Sequence, residues 1–225
     1  MSEHRTSDDA ASFAAWHHGD RAAGAALFER HYPAVARFFH NKVNEEAKDD
    51  LVHETFLACL EHAPRFRGAS SFRTFLFAIA HRVLADHLRR QYRSAAPRAR
   101  RLELEELSIA SLGPGPAAPL IARQEQRLLL EALRRIPLLH QTALELHYWE
   151  SLTAAQIGEV LGIPLGTAKT RLRDGRGYLI EQLRELASSP AQLQSTLDTL
   201  ARWADRARAA VPAPHERAPV RQPGA

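Results

Sequence analysis

Apolar residues recur along most of this chain at helical spacing, and period-two alternation flanked by hairpin turns is absent. The pattern predicts an all-α protein. Over 49–62, Leu51, Val52, Thr55, Phe56, Cys59 and Leu60 form one buried stripe, while Asp49, Asp50, Glu54 and Glu61 occupy the other face. A second helix is predicted from about Ser71 to Tyr92, with a core face of Phe72, Phe75, Leu76, Ile79, Val83 and Leu88 and a basic remainder. Prolines and glycines gather at 113–119 and 211–225, which mark a linker and a tail. The predicted organisation is therefore a helical domain over 1–93, a flexible linker over 94–120, a second helical domain over 121–186 and an extension over 187–225.

The second domain opens with a helix around Leu128, Leu129, Ala132, Leu133 and Ile136, stopped by Pro137, and a further helix follows at 138–149. Thr153 and Gln156 fit a capping box, in which each side chain satisfies a free amide of the first turn. Gly162 ends that helix and Pro164 suits the start of the next, which gives a helix-turn-helix pattern. Winding 165–183 at about 100° per residue puts Leu165, Ala168, Leu172, Gly175, Leu179 and Leu183 on one side. Thr167, Thr170 and Asp174 face the opposite way, flanked by Arg171 and Arg173. Short hydroxyls and long cations on one face suit base edges and phosphates, although an ordinary helical hairpin with a polar face has the same layout.

Charge divides the first domain. Residues 37–62 hold three Lys and Arg against six acids, a net of −3, whereas 65–101 hold ten Arg against Asp86, a net of +9. The whole chain is mildly basic, with 30 Lys+Arg against 26 Asp+Glu, which suits a nucleic-acid partner without demanding one. The single cysteine, Cys59, rules out an internal disulfide and a multi-thiolate zinc cage and suits a reducing cytosol. The longest apolar run, Phe75 to Ala80, is six residues, against about 20 for a spanning helix, so no membrane insertion is expected. The first residues also lack the apolar core of a signal peptide.

With both halves in this order, the chain resembles the bacterial RNA polymerase sigma factors of the extracytoplasmic-function, or group 4, type. The resemblance rests on DDLVHETFLACL (49–60), FRGASSFRTFLFAIAHRVLADHLRRQYR (66–93) and IPLLHQTALELHYWESLTAAQIGEVLGIPLGTAKTRLRDGRGYL (136–179). It implies a subunit that binds core RNA polymerase and promoter DNA, directs promoter recognition and opening, and works in the cytoplasm without a cofactor; an anti-sigma factor is a further implied partner. The helix with Asp49, Asp50, Leu51, Glu54 and Phe56 would grip the largest polymerase subunit. Arg67, Ser70, Ser71, Phe75, Arg82, Asp86, Arg89 and Arg90 would open and hold the minus-ten element. Thr167, Lys169, Thr170, Arg171 and Arg173 would read the minus-thirty-five element.

The sequence departs from the family at several points. Arg82 stands where relatives place an asparagine, so a different minus-ten base or a phosphate contact is expected, and Phe75 replaces a tryptophan while keeping a stacking face. Gly175 and Gly177 predict fraying of the recognition helix, since each interior glycine costs about 1 kcal/mol relative to alanine. The linker reads either as a plain tether or, by family analogy, as a segment threading the polymerase cleft. In the extension, Leu193, Leu197, Leu200, Trp203 and Ala207 predict an amphipathic helix docked within the chain, followed by a disordered tail from Val211.

Enzymatic readings find little support. His53-Glu54 begins like a zinc-protease helix, but Leu57 stands where the second histidine would be, and no phosphate-binding glycine loop or nucleophile elbow occurs. No catalytic residue or metal site is expected. The rival reading is a helix-turn-helix activator of the response-regulator output type, which would need an α/β domain where residues 11–93 show helical periodicity.

Overall fold

Short polar side chains decide where the helices start. The computed structural model describes residues 2–66, 70–95, 108–109 and 124–198. Helix α1 (Ser2–His17) leads to α2 (Arg21–His40), whose first turn is capped by Asp20 accepting from the amides of Ala22 and Ala23. Asn44 caps α3 (Glu45–Glu61) in the same way, and Ser71 accepts from the Thr74 amide at the start of α4 (Phe72–Ala95). The second half contains α5 (Gln124–Arg135), α6 (Leu138–Tyr148), α7 (Ala154–Leu161) and α8 (Leu165–Leu186). Among the described residues no strand occurs, and the one isolated bridge pairs Ser108 with Pro137. The fold is all-α, and an α/β receiver in the first half, which the rival activator reading requires, is not favoured.

Aromatic packing fixes the first domain. Phe13 of α1 lies 4.9 Å from Phe72 and 5.4 Å from Phe66, ring centre to ring centre, so α1 closes over the start of α4. Asp9 completes that attachment, because its carboxylate meets Arg30 and the Nε2 of His31, 2.8 Å away, on α2. Phe39 of α2 and Leu76, Phe77 and Leu84 of α4 are fully buried in the core. Burying such side chains contributes about 1.5–3 kcal/mol each.

Two expectations change. The span 94–120 is not free throughout, since Ile109 is buried and the Ser108 hydroxyl donates to the Arg134 carbonyl at 2.7 Å. Residues 108–109 thus attach to the second helical half, where an apolar side chain gains by leaving water. The recognition helix does not fray at its glycines either. Helix α8 is continuous to Leu186, and Gly175 is one of its buried positions. Beyond it, residues 190–198 are helical, with Thr196 buried, Leu193 and Leu197 packed on the core and the Ser195 hydroxyl 3.3 Å from Glu125 of α5. Leu200, Trp203, Ala207 and the tail lie outside the described residues.

The two domains touch each other directly. Helix α4 packs on α7, and Asn41, the residue that caps the end of α2, donates to the Leu130 carbonyl of α5 at 3.2 Å. Lys42, in the turn between α2 and α3, forms an ion pair with Glu145 of α6, both side chains being almost wholly buried. Glu150, in the turn after α6, accepts from Arg37 at 2.8 Å and from Arg73 of α4.

Candidate nucleic-acid and partner interface

Helix α3 turns its acidic side outward, as the stripe of small and apolar residues requires. Asp49, Asp50, His53 and Glu54 are exposed. Leu51 and Phe56 are not part of that surface, being 3% and 4% exposed. They belong to the buried stripe, and helical spacing that places Asp50 and Glu54 in solvent necessarily turns those two inward. The exposed apolar residue is Leu57, at 62%. Its spacing, i+7 from Asp50 and i+3 from Glu54, puts it on their face of the helix. Asp49 is tied back to α2 by the Tyr32 hydroxyl at 3.1 Å, and burial and that carboxylate together push the Tyr32 phenol up.

The surface is also more acidic than the local count implies. Two of the three cations in 37–62, Arg37 and Lys42, are spent on Glu150 and Glu145, and Lys48 pairs with Glu45. Exposed α3 therefore presents carboxylates and Leu57 together.

On α4, Arg82, Asp86, Arg89 and Arg90 are exposed along one side. Arg89 pairs with Asp86 at 3.0 Å and Arg90 approaches Glu54 at 3.8 Å, exposed contacts that contribute little and leave both cations recruitable. Phe75 is half-buried against Phe66, 5.1 Å away, so one part of the ring supports the core. Ser71 serves as the cap of α4, and Ser70 is half-buried beside it. Arg67 lies outside the described residues. His81, next to Arg82, is depressed to about 4 by burial first and then by the charges of Lys42, Arg171, Arg89 and Arg82.

The helix-turn-helix forms as its local chemistry dictates. Thr153 accepts from the Gln156 amide at 3.3 Å while Gln156 accepts from the Thr153 amide at 2.9 Å. Gly162 then adopts a left-handed backbone at φ 67°, which turns the chain into α8. Ala168, Leu172, Leu179 and Leu183 seat α8, and Thr167, Lys169, Thr170 and Arg173 stand exposed. Arg171 is half-buried on the side toward His81, and Asp174 holds Arg173 at 2.8 Å. Among the described residues, no group of His, Cys, Asp and Glu is placed to hold a metal ion, and no helix is long and apolar enough to cross a membrane.

Comparison with known proteins decides what this pair of helical domains is. The family models Sigma-70 region 2 and Sigma-70, region 4 match residues 27–94 and 126–179. The RNA polymerase sigma factor CarQ of Myxococcus xanthus is 34% identical over 169 residues, covering 75% of this chain and 91% of that protein. The chain belongs to the extracytoplasmic-function sigma factors. The ECF sigma factor SigW of Bacillus subtilis is similarly related, at 26% identity over 75% of this chain and 92% of that protein. The same fold occurs in CnrH, solved in complex with the cytosolic domain of CnrY, at 20% identity, a TM-score of 0.58, and coverage of 80% of this chain and 99% of that one. As a sigma factor the protein binds core RNA polymerase and promoter DNA and directs transcription initiation. In this sigma factor the first domain corresponds to region 2 and the second to region 4, with α1 preceding the matched part.

Proposed function

We propose that this sigma factor works in the cytoplasm, carries no catalysis of its own, and divides its contacts among three exposed helix faces. The observation that carries the division is the outward placement of Asp50, Glu54 and Leu57 on α3, Arg82, Arg89 and Arg90 on α4, and Thr167, Lys169, Thr170 and Arg173 on α8. The α3 face, carboxylates around an apolar knob, suits a basic amphipathic helix of the polymerase. The α4 face, with Phe75 at its start, suits the backbone and bases of a single strand at the minus-ten element. The α8 face fits the major groove at the minus-thirty-five element, with Arg171 joining it on separation of the domains. Since the CnrH structure includes a domain of CnrY and a related Bartonella quintana RpoE structure includes the anti-sigma factor NepR, an anti-sigma factor is a partner to test here.

The deciding experiment reconstitutes the chain with core polymerase, transcribes genomic fragments and maps the start sites. Shared sequence elements about ten and thirty-five positions upstream support the reading. Start sites without shared elements, or tight binding of duplex promoter by the chain alone, defeat it.

A further inference from the structure

Arg173 and Asp174 stand side by side in the recognition helix, and the bond between them has a direction. The Arg173 side chain is 76% exposed and that of Asp174 37%, and the Arg173 Nε donates to the Asp174 Oδ1 at 2.8 Å. A guanidinium carries five N–H groups. The bond to Asp174 uses the one at Nε and leaves the two Nη groups, whose parallel N–H bonds form a fork, for whatever lies in front of the helix.

The helix is held firmly at this point. Gly175 is buried against α6, and an added Cβ there would lie 3.3 Å from the His140 Cβ. Residues two apart on an α-helix point about 200° from each other, so the seat of Gly175 sends Arg173 away from the body of the domain, on the outer side that also carries Lys169 and Thr170.

Asp174 also decides which acceptor suits the fork. With the carboxylate in contact the pair has no net charge, so the general attraction of Arg173 for phosphate is offset, and a phosphate oxygen brought to the fork meets a like charge beside it. Directional hydrogen bonds to neutral acceptors are kept. In the major groove guanine presents two acceptors, N7 and O6, on one edge, whereas adenine and cytosine present an amino group there and thymine a methyl group. An exposed pair of this kind contributes little to stability in water. Its consequence is one of direction, because inside the groove, where water is displaced and the bond is stronger, Arg173 has to break it to swing onto the backbone.

We propose that Asp174 is a positioning residue that pins Arg173 for a two-point contact with a guanine of the minus-thirty-five element and keeps it off the phosphates. This rests on the assignment of α8 to that element above. Without the carboxylate the same arginine serves as a backbone contact that carries no sequence information.

Transcription by core polymerase with the full chain tests this on promoters in which each guanine of the element, on either strand, is replaced by adenine or by 7-deazaguanine, which pairs as guanine but lacks N7. For the parent chain one guanine should stand out, its change to adenine costing about 5- to 150-fold and 7-deazaguanine costing part of that. Arg173→Ala should abolish the preference at that position alone. Asp174→Ala should reduce it to within about twofold while preferences at other positions persist, and should steepen the salt dependence by about one as the freed arginine takes a phosphate. Adding Asp174→Ala to Arg173→Ala should change nothing further. A merely structural role for Asp174 would lower transcription from every promoter alike and leave that preference intact. A parent chain with no such guanine, a preference that survives Arg173→Ala or Asp174→Ala, or an unchanged salt slope in Asp174→Ala would each overturn the pinning. Indifference of the parent chain to every base of the element would overturn the assignment of α8 as well.

Discussion

Gly175 of α8 packs against His140 of α6 so closely that an added Cβ would lie 3.3 Å from the His140 Cβ and 3.4 Å from Leu144 Cγ. Gly177, two residues on, would meet nothing within 4 Å. The same residue type therefore has opposite roles on one helix. Gly175→Leu should destabilise the protein by about 1–3 kcal/mol through overpacking, whereas Gly177→Ala should stabilise it by about 0.5–1 kcal/mol through helix propensity. Denaturant midpoints of the two variants, moving in opposite directions, check both.

Asp9 should make the attachment of α1 sensitive to acid. Burial alone would raise its carboxyl, but hydrogen bonds and charges from His31 and Arg30 outweigh that and hold it below its ordinary value. Because the folded value is the lower one, the stabilisation is present above the unfolded value of about 3.9 and is lost as pH falls through the folded value. Asp9→Asn should cost about 1–3 kcal/mol at pH 7, and its deficit should shrink below about pH 4. An equal deficit at both pH values contradicts this account.

His81 should oppose closure as the solution is acidified. Burial and the charges of Lys42, in the turn after α2, Arg171 of α8, and Arg89 and Arg82 on its own helix hold it near 4 while the two domains are packed together. An exposed histidine titrates near 6.5, so below that pH the open form binds the proton better, and closure weakens by up to about tenfold per pH unit until the pH nears 4. Glu145, pushed up by burial, titrates in the opposite sense. The comparison of the parent chain with His81→Gln isolates the histidine, and in energy transfer between dyes on the two domains only the parent should show the added opening at pH 5.5.

Ile109 should count as core despite its place between the domains. At 1% exposure it predicts a loss of about 2–5 kcal/mol for Ile109→Ala, the usual cost of emptying such a site. Thermal unfolding of the full chain measures it, and a loss below about 0.5 kcal/mol would show that the site is not packed in solution.

Arg82 distinguishes base readout from phosphate contact. It is exposed, and burial and cations keep its neighbour His81 uncharged near neutral pH. Arg82→Asn should change the preferred minus-ten base if the side chain reads a base. If it holds phosphate, binding should weaken uniformly, with a salt slope shallower by about one. Transcription from a promoter library at two salt concentrations separates these outcomes, and an unchanged profile contradicts both.

Much of this protein follows from chemistry confined to one helical turn. The reciprocal bonds of Thr153 and Gln156 and the left-handed turn at Gly162 involve residues a few positions apart, so the helix-turn-helix was legible without a fold. The stripe of Leu51, Val52, Phe56 and Cys59 likewise announced the buried face of α3, and the order of the two motifs led to the family. The stripe also showed that Leu51 and Phe56 belong inside, a conclusion that motif resemblance obscured. Tertiary structure alone paired Lys42 with Glu145 across 103 positions and Arg37 with Glu150 across 113. It alone drew Ile109 into the second domain and gave Gly175 a neighbour in His140. Each of these depends on which helices meet and at what distance, whereas a cap or an apolar stripe is fixed by the spacing of residues along one helix.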